Sequence, residues 1–391
     1  MKIGIDARFA VRNRRGIGNY ALKLIQNLAS IDSGNEYVLY TDRDDSEGVL
    51  PSAGNFKTRK ISPPNYLLWE QISLPLQACK DGVDILHCTG NTAPIFLDKR
   101  IKLVSTIHDV MFLKDSSELP KSASLYQRAG RIYRKTIVPR TVDRLSMALT
   151  VSEFSKIDII KHIPHLNHER IKVIHEAANE KYRCIDKPKA LQKVNSAFGI
   201  GGNYILTLGA VDPRKNTELV INQYIALRNA NRISEKLFIV GIPNGKQSKF
   251  YNIVQESNFK DDVVFTDFVS EDDLVFLYNG ATLFLYPSLY EGFGIPPLEA
   301  MACGVPVITS RTTSIPEIVG DAALLIDPTN GEELKEALMK LLNEEELRNR
   351  LTACGLKQAK KFSWMKMAEN TLAAYQQVYM GNKTVLEHCE L

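Results

Sequence analysis

Two glutamates stand eight residues apart in the run Glu291-Gly292-Phe293-Gly294-Ile295-Pro296-Pro297-Leu298-Glu299. Ionised carboxylates accept hydrogen bonds from hydroxyls, so this spacing lets the pair grip two parts of one polyhydroxylated ligand. The run follows a strand-like stretch, Thr282–Tyr286, and opens a helix over Pro297–Cys303. Proline at a helix start sacrifices no hydrogen bond. The amides of Phe293, Gly294 and Ile295 lie just before that helix, and a helix N-terminus with bare amides attracts anions. Arg214 and Lys215 add the complementary charge just past the stretch Tyr204–Leu208. Adjacent cations at the carboxyl end of a strand suit a diphosphate, with Arg as a planar fork and Lys as a point charge.

Other groups carry weaker signals. His108-Asp109 ends the stretch Lys102–Ile107, and His175-Glu176 ends Lys172–Ile174. The segment Arg14-Arg15-Gly16-Ile17-Gly18-Asn19-Tyr20-Ala21 matches G-x-G-x-x-A in form. Its first glycine comes about eight residues after the first strand, too late for the tight turn of a dinucleotide site. A glycine-rich loop there can still approach a phosphate closely. Asp42-Arg43-Asp44 has the form of a metal-binding Asp-x-Asp, but it sits in a charged turn far in sequence from the glutamate run and reads as solvated.

These residues need strand ends to hold them, and the chain supplies strands throughout. In the front half, Lys2–Ala7, Glu36–Thr41, Asp84–Cys88, Lys102–Ile107, Ser146–Val151 and Lys172–His175 read as strands. Helical patterns over Gly18–Ala29, Leu67–Cys79 and Ser122–Thr136 lie between them. The back half repeats the scheme with Tyr204–Leu208, Leu237–Val240, Val263–Phe265, Thr282–Tyr286, Val305–Thr309 and Ala323–Ile326. Such alternation predicts βαβ units and mostly parallel sheets, whose strands are apolar on both faces. Ligands of open parallel sheets bind beyond the carboxyl ends of the strands, where most of these motifs fall. A polar, Pro-broken stretch from Cys184 to Lys189 and the glycines Gly199, Gly201 and Gly202 mark a seam. From Ser363, an N-cap, the tail reads as one amphipathic helix.

The bulk numbers fit this reading. The 391 residues suit two domains, and a hydrophobic share of 44% with 24% charged residues supports a sizeable core. No apolar run is long enough to span a bilayer, and the opening Met1–Asp6 reads as a strand and not as a signal peptide. The six cysteines show no metal-like spacing and are expected to be free thiols in a reducing cytosol. Residues 1–200 hold 31 Lys and Arg against 21 Asp and Glu, a net of +10, whereas residues 201–391 hold 18 against 24, a net of −6. A basic front half points to an anionic partner, either a lipid surface or a phosphate-bearing acceptor. The helical stretch Tyr126–Lys135, with four arginines and lysines and two tyrosines among its central residues, fits a membrane surface or a solvated face. No nucleic-acid-binding motif accompanies the charge, so nucleic acid is not an expected partner.

The glutamate run continues into Ala300-Met301-Ala302-Cys303-Gly304-Val305-Pro306-Val307. With His108-Asp109, Val151-Ser152-Glu153-Phe154-Ser155-Lys156, Leu208-Gly209-Ala210-Val211-Asp212-Pro213-Arg214-Lys215-Asn216 and the closing Phe362-Ser363-Trp364 helix, it resembles the signature of glycosyltransferase family four, retaining enzymes of the GT-B fold. The resemblance covers essentially the whole chain. It implies an α/β molecule with two Rossmann-like doubly wound parallel-sheet domains and an interdomain cleft. The expected organisation is an acceptor-binding domain over 1–187, a linker over 188–203, a nucleotide-sugar-binding domain over 204–362, and a crossover helix over 363–380 packing back toward the first domain.

The resemblance also implies roles. Glu291, His108, Arg214 and Lys215 would be catalytic, with Glu291 against the donor sugar, His108 near the reacting centre, and Arg214 and Lys215 neutralising the leaving diphosphate without a required metal or other cofactor. Gly16, Gly18, Phe293, Gly294, Ile295, Leu298 and Glu299 would bind the donor, Glu299 through the ribose hydroxyls. Asp109 and Arg15 would meet the acceptor. Much of the family has Asn-Gly where this chain has His175-Glu176, which leaves that loop without an assigned role. The Met1–Tyr20 start and the His175-Glu176 variation resemble bacterial polysaccharide and O-antigen transferases, which often use GDP-mannose. The implied reaction is retaining α-mannosyl transfer to a glycan or lipid-linked acceptor, with rhamnosyl or glucosyl transfer as alternatives. The expected location is the cytoplasm, with peripheral contact to the anionic inner face of the cytoplasmic membrane through the basic half. Two other classes share doubly wound domains: a sugar-nucleotide epimerase or NAD enzyme, which needs a better-placed glycine turn, and a silent glycan-binding subunit, against which the full set Arg214, Lys215, Glu291 and Glu299 argues.

Overall fold

The computed structural model describes residues 1–12, 16–52, 54–114, 125–243, 245 and 248–381, with the backbone alone of 125–127. Arg14, Arg15 and residues 122–124 therefore lie outside the described residues. The described chain divides into two compact units: one of residues 1–114, 125–176 and 363–381, the other of residues 177–362.

The first unit is built on a parallel sheet of seven strands: β1 (Lys2–Asp6), β2 (Glu36–Thr41), β3 (Phe56–Lys60), β4 (Ile85–Cys88), β5 (Lys102–Thr106), β6 (Leu145–Thr150) and β7 (Ile171–Val173). Their spatial order is β3-β2-β1-β4-β5-β6-β7. All four residues of β4 are buried, as expected for a strand covered on both faces. The edge strand β3 departs from the apolar pattern. Its Phe-Lys-Thr-Arg-Lys sequence buries only Phe56, and its charges face solvent, which discourages pairing with another chain. Helix α1 (Gly16–Ile31) packs through Tyr20, Ala21, Leu24, Ile25 and Leu28, an apolar stripe at helical spacing. The stretch between β3 and β4 is a composite helix. Its first turn, α2 (Tyr66–Leu68), is capped by the Asn65 side chain. A π-helical turn follows over Trp69–Ser73, then α3 (Leu74–Asp81), which ends at Gly82. Helix α4 (Leu125–Thr141) and helix α5 (Glu153–His162), capped by Ser152, complete the crossovers.

The second unit begins at residue 177, ahead of the stretch that the sequence suggested as a linker. Residues 187–198 form helix α6 (Lys187–Phe198) instead. Asp186 caps it by accepting from the Lys189 amide at 3.1 Å, Pro188 sits in its first turn, and Gly199 closes it at φ +70°. Ala190 and Val194 are buried, so the Pro and Gly that read as chain breakers are the start and stop of a packed helix. The first unit accordingly ends at Glu176, eleven residues before the expected boundary at 187.

Six parallel strands follow: β8 (Tyr204–Leu208), β9 (Lys236–Val240), β10 (Val263–Thr266), β11 (Leu283–Tyr286), β12 (Val307–Ser310) and β13 (Ala323–Ile326), in the order β10-β9-β8-β11-β12-β13. Alternate residues feed two cores. Leu206, Phe238 and Phe284 pack on one face, and Ile205, Leu237, Ile239 and Leu285 on the other. The covering helices are α7 (Thr217–Asn229), α8 (Lys249–Gln255), α9 (Glu271–Gly280), α10 (Ile295–Ala302), α11 (Ile315–Val319), α12 (Gly331–Asn343) and α13 (Glu345–Ala359). The last helix, α14 (Trp364–Met380), is capped by Ser363 and belongs to the first unit. There Tyr375 Oη lies 2.6 Å from His87 Nδ1. No helix among the described residues is long and apolar enough to cross a membrane.

Candidate active site

In the second unit the strand order reverses between β8 and β11, which are neighbours with crossovers leaving in opposite directions. Doubly wound sheets bind ligands at such a point, beyond the carboxyl ends. Lys215 arrives there from β8 and Glu291 from β11, and their side chains meet with Nζ to Oε1 at 2.6 Å. The same carboxylate oxygen accepts from Tyr286 Oη at 2.8 Å and Ser288 Oγ at 2.6 Å. Lys215 also donates to the Tyr286 hydroxyl. Burial alone would push the Glu291 carboxyl up. The Lys215 ammonium and the hydrogen bonds from Lys215, Ser288 and Tyr286 outweigh it and hold Glu291 below the usual carboxylate range. Burial and the Glu291 charge push the Tyr286 phenol well above its ordinary value, which keeps it a donor.

Arg214 is oriented before any ligand arrives. Its guanidinium grips Asp212 with Nε to Oδ2 at 3.0 Å and Nη2 to Oδ2 at 2.5 Å. Its carbonyl accepts from the Leu289 amide at 2.8 Å, which ties the β8 loop to the β11 loop. Asn216 follows at φ +57°, and its amide donates to Pro287 O and Pro328 O.

Gly294 caps α10 at φ +110°, where a Cβ would stand 2.7 Å from Ile315 Cδ1. Conformation and space both require glycine. Ile295 opens the helix, and because Pro296 and Pro297 bring no N–H, its amide is the one donor of the first turn before Leu298. Phe293 and Leu298 were expected to bind the donor. Their side chains are buried, Phe293 against the ring of Phe362, so what they can offer a ligand is backbone. Glu299 stands further along α10 and accepts from Tyr278 Oη at 3.1 Å. Burial pushes its carboxyl up to about 7.

The first unit holds a second cluster. His108 lies past β5 and is largely buried. Its Nε2 is 3.0 Å from Thr89 O and its Nδ1 is 3.1 Å from Glu176 Oε1. Its amide donates to Asn91 Oδ1 at 2.7 Å, and the Tyr20 ring packs edge-on against it with centroids 4.7 Å apart. Asp109 accepts from the Met111 amide at 3.0 Å, a turn-forming contact. Gly16 was expected in a loop ahead of the helix, but it belongs with Gly18 to the first turn of α1, where Gly18 is buried. A Cβ at Gly16 would meet nothing within 4 Å. Asp42 is buried against Arg12 and Arg43 and not solvated as expected, whereas Asp44 is exposed and pairs with Lys60 at 2.7 Å.

The two halves of the sequence match two family models. The model described as Glycosyltransferase Family 4 covers residues 14–181, and the one described as Glycosyl transferases group 1 covers residues 189–358. The chain is 30% identical over 382 residues to the O-antigen chain mannosyltransferase B of Escherichia coli, spanning 92% of this chain and 96% of that protein. The chain belongs to glycosyltransferase family four. A second family relative, the O-antigen chain mannosyltransferase RfbU of Salmonella typhimurium, is 30% identical over 290 residues, 73% of this chain and 72% of that protein. Among solved structures, the sucrose-phosphate synthase of Thermosynechococcus elongatus superposes with a TM-score of 0.74 at 18% identity, covering 97% of this chain and all of that one. The fold of this family-four enzyme is thus GT-B.

Several residues of this glycosyltransferase were invisible in its sequence motifs. Glu176 stood in the loop without a role, and the structure pairs it with His108. Tyr286 and Ser288 hold Glu291, yet in sequence they are only a strand end and a turn. At the carboxyl ends of β1 and β4, where the first sheet also reverses order, Arg8 forms a bidentate pair with Asp6 (Nε to Oδ1 3.0 Å, Nη2 to Oδ2 2.7 Å). Its guanidinium stacks 3.9 Å over Trp69, and its Nη2 lies 3.6 Å from Glu70. All four are buried, and burial pushes Glu70 up to about 7. The π-helical turn brings Trp69 and Glu70 inward, and such turns often mark functional sites. No periodicity rule foretells it.

Proposed function

We propose that this glycosyltransferase moves mannose from GDP-mannose, with retention at the anomeric carbon, onto a glycan or lipid-linked acceptor in O-antigen synthesis. The mannosyl reading is supported by the O-antigen mannosyltransferases that match most of its length. The observation that carries the chemistry is the Lys215–Glu291 pair across the reversal of the second sheet. Glu291 accepts hydroxyls of the donor sugar, and Glu299 accepts those of the ribose. Lys215, Arg214 and the Ile295 amide meet the diphosphate and stabilise it as it departs, an electrostatic contribution by groups already fixed in place. The acceptor oxygen bonds to the anomeric carbon as the bond to phosphate breaks, and the hydroxyl proton leaves on the phosphate oxygen. The cations of this site serve the diphosphate without a metal ion.

The test is transfer from a panel of nucleotide sugars, with chelator and no added metal, to lipid-linked and simple mannoside acceptors. Product from GDP-mannose with an α-linkage by NMR is the expected result. Product from a rhamnosyl or glucosyl donor alone overturns the sugar assignment. Loss of activity on chelation overturns metal independence.

The acceptor side of this reading includes a membrane surface. The composite helix of the first unit turns Leu67, Leu68, Ile72 and Leu76 to solvent, each 47–58% exposed. Phe96 and Ile132 are more exposed still. Gln71 gathers these groups, accepting from the Ile95 amide and donating to Tyr133 Oη, both at 2.9 Å. Helix α4 carries five basic residues and no acid, with Arg128, Lys135 and Arg140 exposed. An apolar face rimmed by cations suits the anionic inner leaflet of the cytoplasmic membrane.

A further inference from the structure

The two neighbours of the His108 ring constrain its proton count. The Thr89 carbonyl can only accept, so Nε2, 3.0 Å away, carries a hydrogen. Glu176 lies 3.1 Å from Nδ1, and a carboxylate also accepts. A neutral imidazole has one N–H and would turn its lone pair toward an oxygen on one side or the other. The ring that satisfies both contacts is the imidazolium.

We propose that Glu176 is a positioning residue that holds His108 as an imidazolium, so that His108 supplies a fixed positive charge at this strand end and cannot serve as the base of transfer. The groups around the ring agree. Glu176 comes from the loop after β7, Asp109 from the same strand end, Tyr20 from α1 and His87 from β4. Burial disfavours the charged ring, but Glu176, the Thr89 carbonyl and Asp109 outweigh it and raise the His108 pKa above its ordinary value. His87 is held neutral by burial, near 3, and adds no competing charge. Tyr20 Oη and His87 Nε2 both meet Thr106 Oγ1, at 2.9 and 2.8 Å, which fixes the wall beside the ring.

The consequence rests on the transfer reading above. With no lone pair on His108, the ring cannot take the acceptor proton, which agrees with its departure on the phosphate oxygen that leaves the anomeric carbon. A carboxamide in place of the Glu176 carboxylate would not hold the cation in the same way.

The experiment is a pH titration of imidazole nitrogens by NMR on the full-length protein labelled with nitrogen-15, with His108→Gln assigning the signal. Two protonated nitrogens on His108 through neutral pH are expected, together with a fall in its pKa of about one unit or more in Glu176→Gln. Glu176→Asp should restore most of that fall. A neutral His108 in the native protein at pH 7, or a titration unchanged in Glu176→Gln, overturns the proposal. If Glu176→Gln does not fold, the native titration and Glu176→Asp still decide. In turnover, the high-pH limb of the rate profile should move to lower pH in Glu176→Gln, which a merely structural residue would not produce. Absence of mannosyl transfer by every variant, with the NMR result intact, would strike the reaction and not the pair.

Discussion

At the scale of single residues, Glu291 and Lys215 depend on each other. Each neutralises the other in a half-buried setting, and Tyr286 and Ser288 add donors to the same oxygen. Removing either charge deletes a group proposed to meet the donor and leaves its partner uncompensated. Glu291→Ala and Lys215→Ala should each lower kcat roughly 10²- to 10³-fold, with a native circular-dichroism spectrum. Near-native turnover in both would remove them from the chemistry. Glu299 makes a pH prediction. Its carboxyl is pushed up to about 7 by burial, whereas an unfolded glutamate titrates near about 4.3. The folded protein therefore binds a proton that the unfolded chain has released, and this contribution to stability is present at low pH and lost as pH rises through about 7. Ribose hydroxyls need the ionised form as acceptor, so nucleotide affinity should move the other way and rise from pH 6 to 8. Calorimetry on Glu299→Gln should show weaker binding with that pH dependence gone; a slope kept in the variant would place the titrating group elsewhere. The glutamates and the Arg-Lys pair stood out in the sequence by residue type and spacing, and the fold brings Lys215 and Glu291 of that set together. Glu176, Arg8 and Glu70 did not stand out, because their partners lie far along the chain and nothing local announces a buried pairing.

At the scale of elements, the strands were readable where both faces are covered, since continuous apolar runs leave no other reading. Strand β3 escaped because a charged edge strand looks like a loop, and α6 escaped because its capping Pro and Gly imitate a linker. Helix α10 was legible from its prolines, though it starts at Ile295 and not at Pro297, and the left-handed cap at Gly294 became visible only in the fold. The strain at Gly294 makes this testable. Gly294→Ala places a methyl 2.7 Å from Ile315 at φ +110°, a conformation that costs of order 1–3 kcal/mol for a non-glycine residue. The melting temperature should fall, and nucleotide affinity should fall further than in a control of equal destabilisation in α12, because the Ile295 amide moves with the cap. Equal losses in the two variants would make Gly294 structural alone.

At the scale of the whole molecule, the charge division of the sequence matches the division of tasks proposed above. The front half, net +10, contains the exposed apolar helix face and the acid-free α4, and the back half, net −6, contains the Lys215–Glu291 pair proposed to meet the donor. Sequence alone gave the sign of the charge but could not reveal the apolar face, because Leu67, Leu68, Ile72 and Leu76 alternate with core residues such as Trp69 and Leu74 in an ordinary amphipathic pattern, and only the fold shows which side is outward. Two contributions to membrane binding follow, and they separate by salt. Cations near an anionic surface contribute about 1 kcal/mol each and are screened, whereas an inserted leucine contributes about 1.5–3 kcal/mol and is not. In sedimentation with vesicles containing anionic lipid, the native protein should bind and lose only part of that binding in high salt. The triple change Leu68→Ser, Ile72→Ser and Leu76→Ser should leave a weak residue of binding that salt abolishes, while turnover of a soluble acceptor stays native. Binding that vanishes completely with salt in the native protein would assign the surface to charge alone, and no binding at all would leave the apolar face to a protein partner instead of lipid.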